Sequence, residues 1–108
     1  MNDTLQALYQ VILDRKADPQ EGSYTCYLFD KGLDKILKKV GEECSETIIA
    51  AKNGVQSDTV GEISDLIYHL LVMMANENIP LSAVMEELDR RSKKIGNLKQ
   101  FHQVDHET

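Results

Sequence analysis

Leu5, Leu8, Tyr9, Ile12 and Leu13 recur at i, i+3, i+4, i+7 and i+8, with Asn2 or Asp3 as cap, and Pro19 closes the pattern. This spacing predicts a first amphipathic helix. Residues 19–23 (Pro-Gln-Glu-Gly-Ser) read as a loop. Tyr24 to Lys31 fits either a short helix or an extended piece, and the helix is favoured. Leu33, Ile36, Leu37, Val40, Cys44, Thr47, Ile48 and Ala51 then form one stripe at helical spacing. It ends at Asn53-Gly54, where glycine tolerates the positive φ of a helix terminus. The string Thr59-Val60-Gly61-Glu62 has the form of a capping box, with Ser57 and Asp58 as alternative caps, so a further helix is expected from near here to about Asn76. Pro80 and Ser82 open a last helix with Leu81, Val84, Met85 and Leu88 inward, Arg90, Arg91, Lys93 and Lys94 in its final turns, and Gly96 as its end.

These elements predict an all-α fold, a compact bundle of about four to five helices in one domain, residues 1–96, followed by a polar tail, 97–108. Between Ile63 and Met74 the apolar residues Ile63, Leu66, Ile67, Leu70, Leu71, Val72, Met73 and Met74 cover nearly the whole circumference, the mark of a helix buried on all sides. A chain of 108 residues can scarcely wrap one helix completely. A homodimer or higher oligomer around that helix is therefore expected.

Composition narrows the partners. Eighteen Asp plus Glu against twelve Lys plus Arg leave a net charge of −6, which argues against a general nucleic-acid or anionic-membrane surface. Cys26 and Cys44 lack the number and spacing of a disulfide framework or a CxxC metal site, so both read as small core residues in a reduced setting. The first residues show no basic region followed by an apolar run, and the longest apolar stretch is far below the ~20 residues that span a bilayer. A cytoplasmic protein is expected.

Candidate chemistry lies in Glu42-Glu43-Cys44-Ser45-Glu46 and Glu62-Ile63-Ser64-Asp65. Residues three or four apart lie within about 60° of one another around a helix, so each motif gathers its carboxylates on one side. The first motif alone also reads as a solvated acidic face partnered by Lys35, Lys38 and Lys39, and the second as a capping glutamate and a first-turn aspartate favoured by the helix dipole. Together, on two helices joined by a short turn, Glu43, Glu46, Glu62 and Asp65 converge, and four carboxylates in one cleft need a cation. All-oxygen ligation suits Mg²⁺, or Mn²⁺ in its place, whereas zinc is a poor candidate. A helical di-iron site needs paired ExxH motifs, and His69 stands alone at i+4 from Asp65. It reads as a hydrogen-bonded residue behind the ligands.

Such a cation in an acidic protein offsets the repulsion of a polyphosphate and favours attack of water on phosphorus, so pyrophosphohydrolysis fits. Glu42 or Glu46 is left to accept the water's proton, and Lys38, Lys39 and Lys52 to hold phosphates. Arg90 and Arg91 read equally as phosphate clamps reaching a neighbouring site or as partners of the helix dipole.

The run from Lys39 to Glu46, Ala50-Ala51-Lys52 and the run from Glu62 to Val72 together resemble phosphoribosyl-ATP pyrophosphohydrolases of histidine biosynthesis, within the all-α, MazG-like nucleoside-triphosphate pyrophosphatases. Ser23-Tyr24-Thr25, Lys31-Gly32, Asp34-Lys35-Ile36 and Leu88-Asp89-Arg90-Arg91 extend the likeness over about residues 5 to 95. The resemblance implies a dimer and Mg²⁺-dependent cleavage of phosphoribosyl-ATP between its α- and β-phosphates. It also implies metal ligation by Glu43, Glu46, Glu62 and Asp65, with Glu42 orienting water or taking its proton. Many members of the family are fused to phosphoribosyl-AMP cyclohydrolase. This chain lacks that enzyme's zinc-site cysteines and reads as a free-standing form that passes product to a separate cyclohydrolase. Ser23-Tyr24-Thr25 and the basic C-terminal run are candidates for recognising the second phosphoribosyl group. A housecleaning (d)NTP pyrophosphatase, and a non-catalytic helical interaction protein, are the competing expectations.

Overall fold

The computed structural model describes residues 3–94. The first amphipathic pattern forms α1 (Thr4–Ala17), which buries Tyr9 and Ile12 and packs Leu5, Leu8 and Leu13 against the same core. Its last turn carries Lys16, whose Nζ donates to the carbonyl of Ala75 at 2.7 Å and to Asn78 Oδ1 at 2.9 Å. A cation thus sits at the C-terminal end of another helix, where carbonyls lack intrahelical donors. Ser23 caps α2 (Tyr24–Lys31), its hydroxyl accepting from the Cys26 amide at 3.1 Å, so the helical alternative holds for this segment. Gly32, at φ 93°, turns the chain directly into α3 (Leu33–Asn53).

Helix α3 ends at Gly54, in the left-handed conformation at φ 80°, as the Asn53-Gly54 pair predicts. One further residue, Val55, caps α4 (Gln56–Asn76). So short a connection forces α3 and α4 back along each other, and theirs is the most extensive helix–helix contact of the fold. Helix α2 lies across both, α1 packs on α2 and α4, and α5 (Leu81–Ser92) follows the turn after α4. The described residues are all-helical, with no strand among them. Ile12, Leu28, Ile36 and Val72, from four different helices, meet as the fully buried centre. Among the described residues no helix is long and apolar enough to cross a membrane.

Four expectations need correction. The α4 start lies upstream of the capping-box residues: Thr59 is already in the helix, with its hydroxyl donating to the Val55 carbonyl at 3.3 Å, so Glu62 and Asp65 are interior residues. The stripe on α3 is rotated, since Ile36, Glu43 and Ala50 are buried while Leu33, Leu37, Cys44 and Ile48 are exposed. Cys44 is therefore not a core residue, and Cys26 is half-buried, its thiol 3.5 Å from the Arg15 carbonyl. On α4 only the C-terminal half is enclosed by its own chain; Ile63 and Ile67 remain exposed, in keeping with a helix that one chain can scarcely wrap. Helix α5 docks through Leu81 and Val84 alone, leaving Met85 and Leu88 exposed. The Asn2 cap, the Gly96 end and the tail 97–108 lie outside the described residues.

Candidate functional site

The α3–α4 hairpin turns its acidic faces toward each other. Thr47 fastens the seam: its hydroxyl donates to the Glu43 carbonyl at 2.7 Å and lies 3.3 Å from the Glu62 carbonyl, so the backbones behind two acidic residues are held together. In front of that seam one carboxylate oxygen each from Glu43, Glu62 and Asp65 lie within 4.8 Å of one another. Glu46 borders the same cluster, close enough for its carboxyl to act on those of Glu43 and Glu62. The exposed mouth is a groove of about 390 Å³ lined by Glu46, Ala50, Asn53, Asp58, Glu62 and Asp65.

Electrostatically the arrangement is unbalanced. Glu43 is only 6% exposed, and burial first, then the neighbouring Glu46 carboxyl and the charges of Asp65 and Glu62, push its carboxyl up to about 7. Glu62 is raised too, by burial first and then by the charges of Glu46, Asp65 and Asp58. Glu43 Oε2 and Glu62 Oε1 are buried with no hydrogen-bond partner, and among the described residues no Lys or Arg pairs with any of the four acids. Orphaned, buried, anionic oxygens are costly to a folded protein unless something compensates them. The donor set, oxygen only and close-spaced, fits a hard divalent cation of the Mg²⁺ or Mn²⁺ kind.

The remaining sequence candidates fall around this centre rather than in it. Glu42 points to Lys39, Nζ to Oε1 3.3 Å, a pairing that raises the Lys39 ammonium. Lys38 and Lys52 are exposed on α3, and neither lines the groove. Arg90 and Arg91 both clasp Glu87, which their hydrogen bonds lower to about 2. Both arginines thus have an ion-pair partner on their own helix.

His69 is buried, 4% exposed, one turn beyond Asp65 on α4. Its Nδ1 lies 2.7 Å from the Asp65 carbonyl and its Nε2 3.1 Å from the Tyr24 hydroxyl, so it does not reach the carboxylate cluster as a ligand but joins α2 to the acidic turn. Tyr68 packs edge-on against the same ring at 4.9 Å, and its hydroxyl bonds Thr25. Sequence spacing did not reveal this joint, or the role of Thr47, because the partners come from different helices and leave no periodic signal.

Comparison with known proteins agrees with the geometry. The phosphoribosyl-ATP pyrophosphohydrolase family matches residues 5–92. A phosphoribosyl-ATP pyrophosphatase of Clostridium novyi is 53% identical over 90% of this chain and 88% of its own length. Proteins of the same name from Listeria monocytogenes and Clostridium acetobutylicum are 55% identical (93% of this chain, 96% of that protein) and 56% identical (92% and 90%). The match takes in the hairpin, the acid cluster and all but the first residue of the five helices: the chain belongs to the phosphoribosyl-ATP pyrophosphohydrolase family.

Proposed function

We propose that the protein hydrolyses the α–β phosphoanhydride of phosphoribosyl-ATP to phosphoribosyl-AMP and pyrophosphate, with Mg²⁺ held by Glu43, Glu46, Glu62 and Asp65. The observation that carries this reading is the pair of buried, unpartnered carboxylate oxygens on Glu43 and Glu62 beside Asp65. The substrate is the one named for the 53–56% identical relatives. When bound, the cation supplies charge compensation for the acids and for the substrate's phosphates, and makes water a better nucleophile there.

The chain's own residues do the rest. Glu46, exposed at the mouth of the groove, takes a proton from water in addition to its part in holding the cation, as the water's oxygen bonds to phosphorus and the bridging P–O bond breaks, releasing pyrophosphate. Glu42 is held off by Lys39, so it serves as reserve or orienting group. Lys38, Lys39 and Lys52, on the same helix but outside the groove, meet the phosphates as they extend beyond it.

The working unit is a homodimer or larger. Ile48 is 65% exposed, and Ile49, Val60 and Ile63 are also exposed on the same hairpin, an apolar surface that a second copy would cover. A cytoplasmic location fits a biosynthetic enzyme with no membrane-spanning helix among the described residues. Pyrophosphate release from phosphoribosyl-ATP, measured with Mg²⁺ and with chelator, tests the reading. Turnover of dNTPs at a comparable rate overturns the narrow substrate assignment, and no release from any nucleotide overturns the enzymatic one.

A further inference from the structure

The groups that the sequence offers for the second phosphoribosyl group are engaged within the chain. Ser23 caps α2, and the Tyr24 and Thr25 hydroxyls meet His69 and Tyr68. Arg90 and Arg91 are held by Glu87, and Lys93 by Asp89. Lys31, in contrast, pairs with no carboxylate among the described residues, and its Nζ lies over the Tyr27 ring, 5.7 Å from the centroid. An ammonium over a ring face keeps its charge and its outward N–H donors.

The position of this charge says what it meets. Tyr24, Tyr27 and Lys31 stand at i, i+3 and i+7 on α2 and are all exposed, so they form one stripe. The two tyrosine rings, 46% and 41% exposed, are stacked with centroids 6.0 Å apart. The stripe begins beside the acids, since the Tyr24 hydroxyl lies 3.1 Å from His69 Nε2 and the His69 Nδ1 2.7 Å from the Asp65 carbonyl. It ends where Gly32 turns into α3, about three helical turns before Glu43, on the order of 15 Å along that helix. Phosphoribosyl-ATP carries the same order of chemistry: polyphosphate, ribose, flat purine, second ribose and a terminal phosphate. Its two charged ends stand about three helical turns apart when extended.

We propose that the Lys31 ammonium receives the phosphate of the second ribose, with the purine laid along Tyr24 and Tyr27 between that phosphate and the acidic cluster. The proposal rests on the hydrolysis of phosphoribosyl-ATP at that cluster. It adds what sets this substrate apart from an ordinary nucleoside triphosphate, which ends at the purine and brings no anion to Lys31.

The test is steady-state pyrophosphate release by the full chain with Mg²⁺, comparing phosphoribosyl-ATP with its counterpart from which only the phosphate of the second ribose has been removed. The wild type should favour phosphoribosyl-ATP about 10-fold in kcat/KM, mainly through KM, the order of one charge-assisted contact at an exposed site. Lys31→Gln shows that loss on phosphoribosyl-ATP and none on the counterpart, and Lys31→Arg keeps the preference. Equal kcat/KM for the two substrates in the wild type overturns the proposal while the hydrolytic reading stands. So does a Lys31→Gln protein that retains the preference, or one that loses equally on both substrates. No release by the wild type from either substrate overturns the parent reading together with this one.

Discussion

Glu43 on α3 and Glu62 on α4 each present a buried carboxylate oxygen with no hydrogen-bond partner to the same small space, while Thr47 joins their backbones from behind. The fold thus holds two like charges together with a neutral hydroxyl. It is stable only to the extent that protons or a cation relieve them.

The first expected outcome is a pH dependence. The Glu43 carboxyl, ordinarily near 4.5, stands at about 7 in the folded chain because of burial and neighbouring acids. A carboxyl raised on folding costs nothing below the unfolded value, costs progressively more between the two values, and costs its full amount above the folded one. The metal-free protein should therefore lose stability as pH rises from about 4.5 to about 7, by on the order of 3 kcal/mol from this residue. Melting curves in chelator at pH 5 and pH 8 check this, and added Mg²⁺ should restore the lost stability at pH 8.

Substitution of the acids should separate function from stability. Glu43→Gln and Asp65→Asn remove negative charge from a crowded cluster, so the metal-free variants should melt at or above the wild type. Pyrophosphate release should fall at least about 100-fold, the order expected when charge compensation at phosphorus is lost. A variant that melts lower and keeps its turnover would refute the role assigned to that residue.

Ordinary packing behaves differently. Leu28, fully buried, anchors α2 and with it Tyr24 to the core. Leu28→Ala should destabilise the protein by about 2–5 kcal/mol, measured by denaturant unfolding.

The exposed apolar hairpin surface makes its own prediction. Ile48→Glu introduces a charge on a side chain that touches nothing in its own chain's core, so the isolated fold should be kept by circular dichroism. Sedimentation should show a shift toward monomer. Unchanged association would place the subunit contact elsewhere.

Much of this was legible in the residues. The all-helical class, the end of α3 at Gly54 and the approach of Glu43, Glu62 and Asp65 follow from periodicity, a glycine at a positive-φ position and spacing on adjacent helices. What misled was local pattern without its neighbour. Thr59 and Glu62 have the spacing of a capping box, but a connection as short as Gly54-Val55 starts the helix sooner and places Thr59 inside it. The apolar stripe of α3 reads as core because apolar residues usually face inward. Here the inward face must carry Glu43 and Thr47, so Leu37 and Ile48 turn out. His69 was recognisable as a buried hydrogen-bonded ring, but its partner Tyr24 belongs to another helix and has no signature in spacing.

The tight α3–α4 connection also governs how the molecule folds. All four acids lie on one hairpin, so their mutual approach is a sequence-local event, and local contacts form early because little chain entropy is lost in closing them. The repulsion is therefore met near the start of folding rather than at its end. A divalent cation should act as an accelerator of refolding as well as a participant in catalysis, raising the folding arm of the kinetics and raising it less for a Glu43→Gln chain.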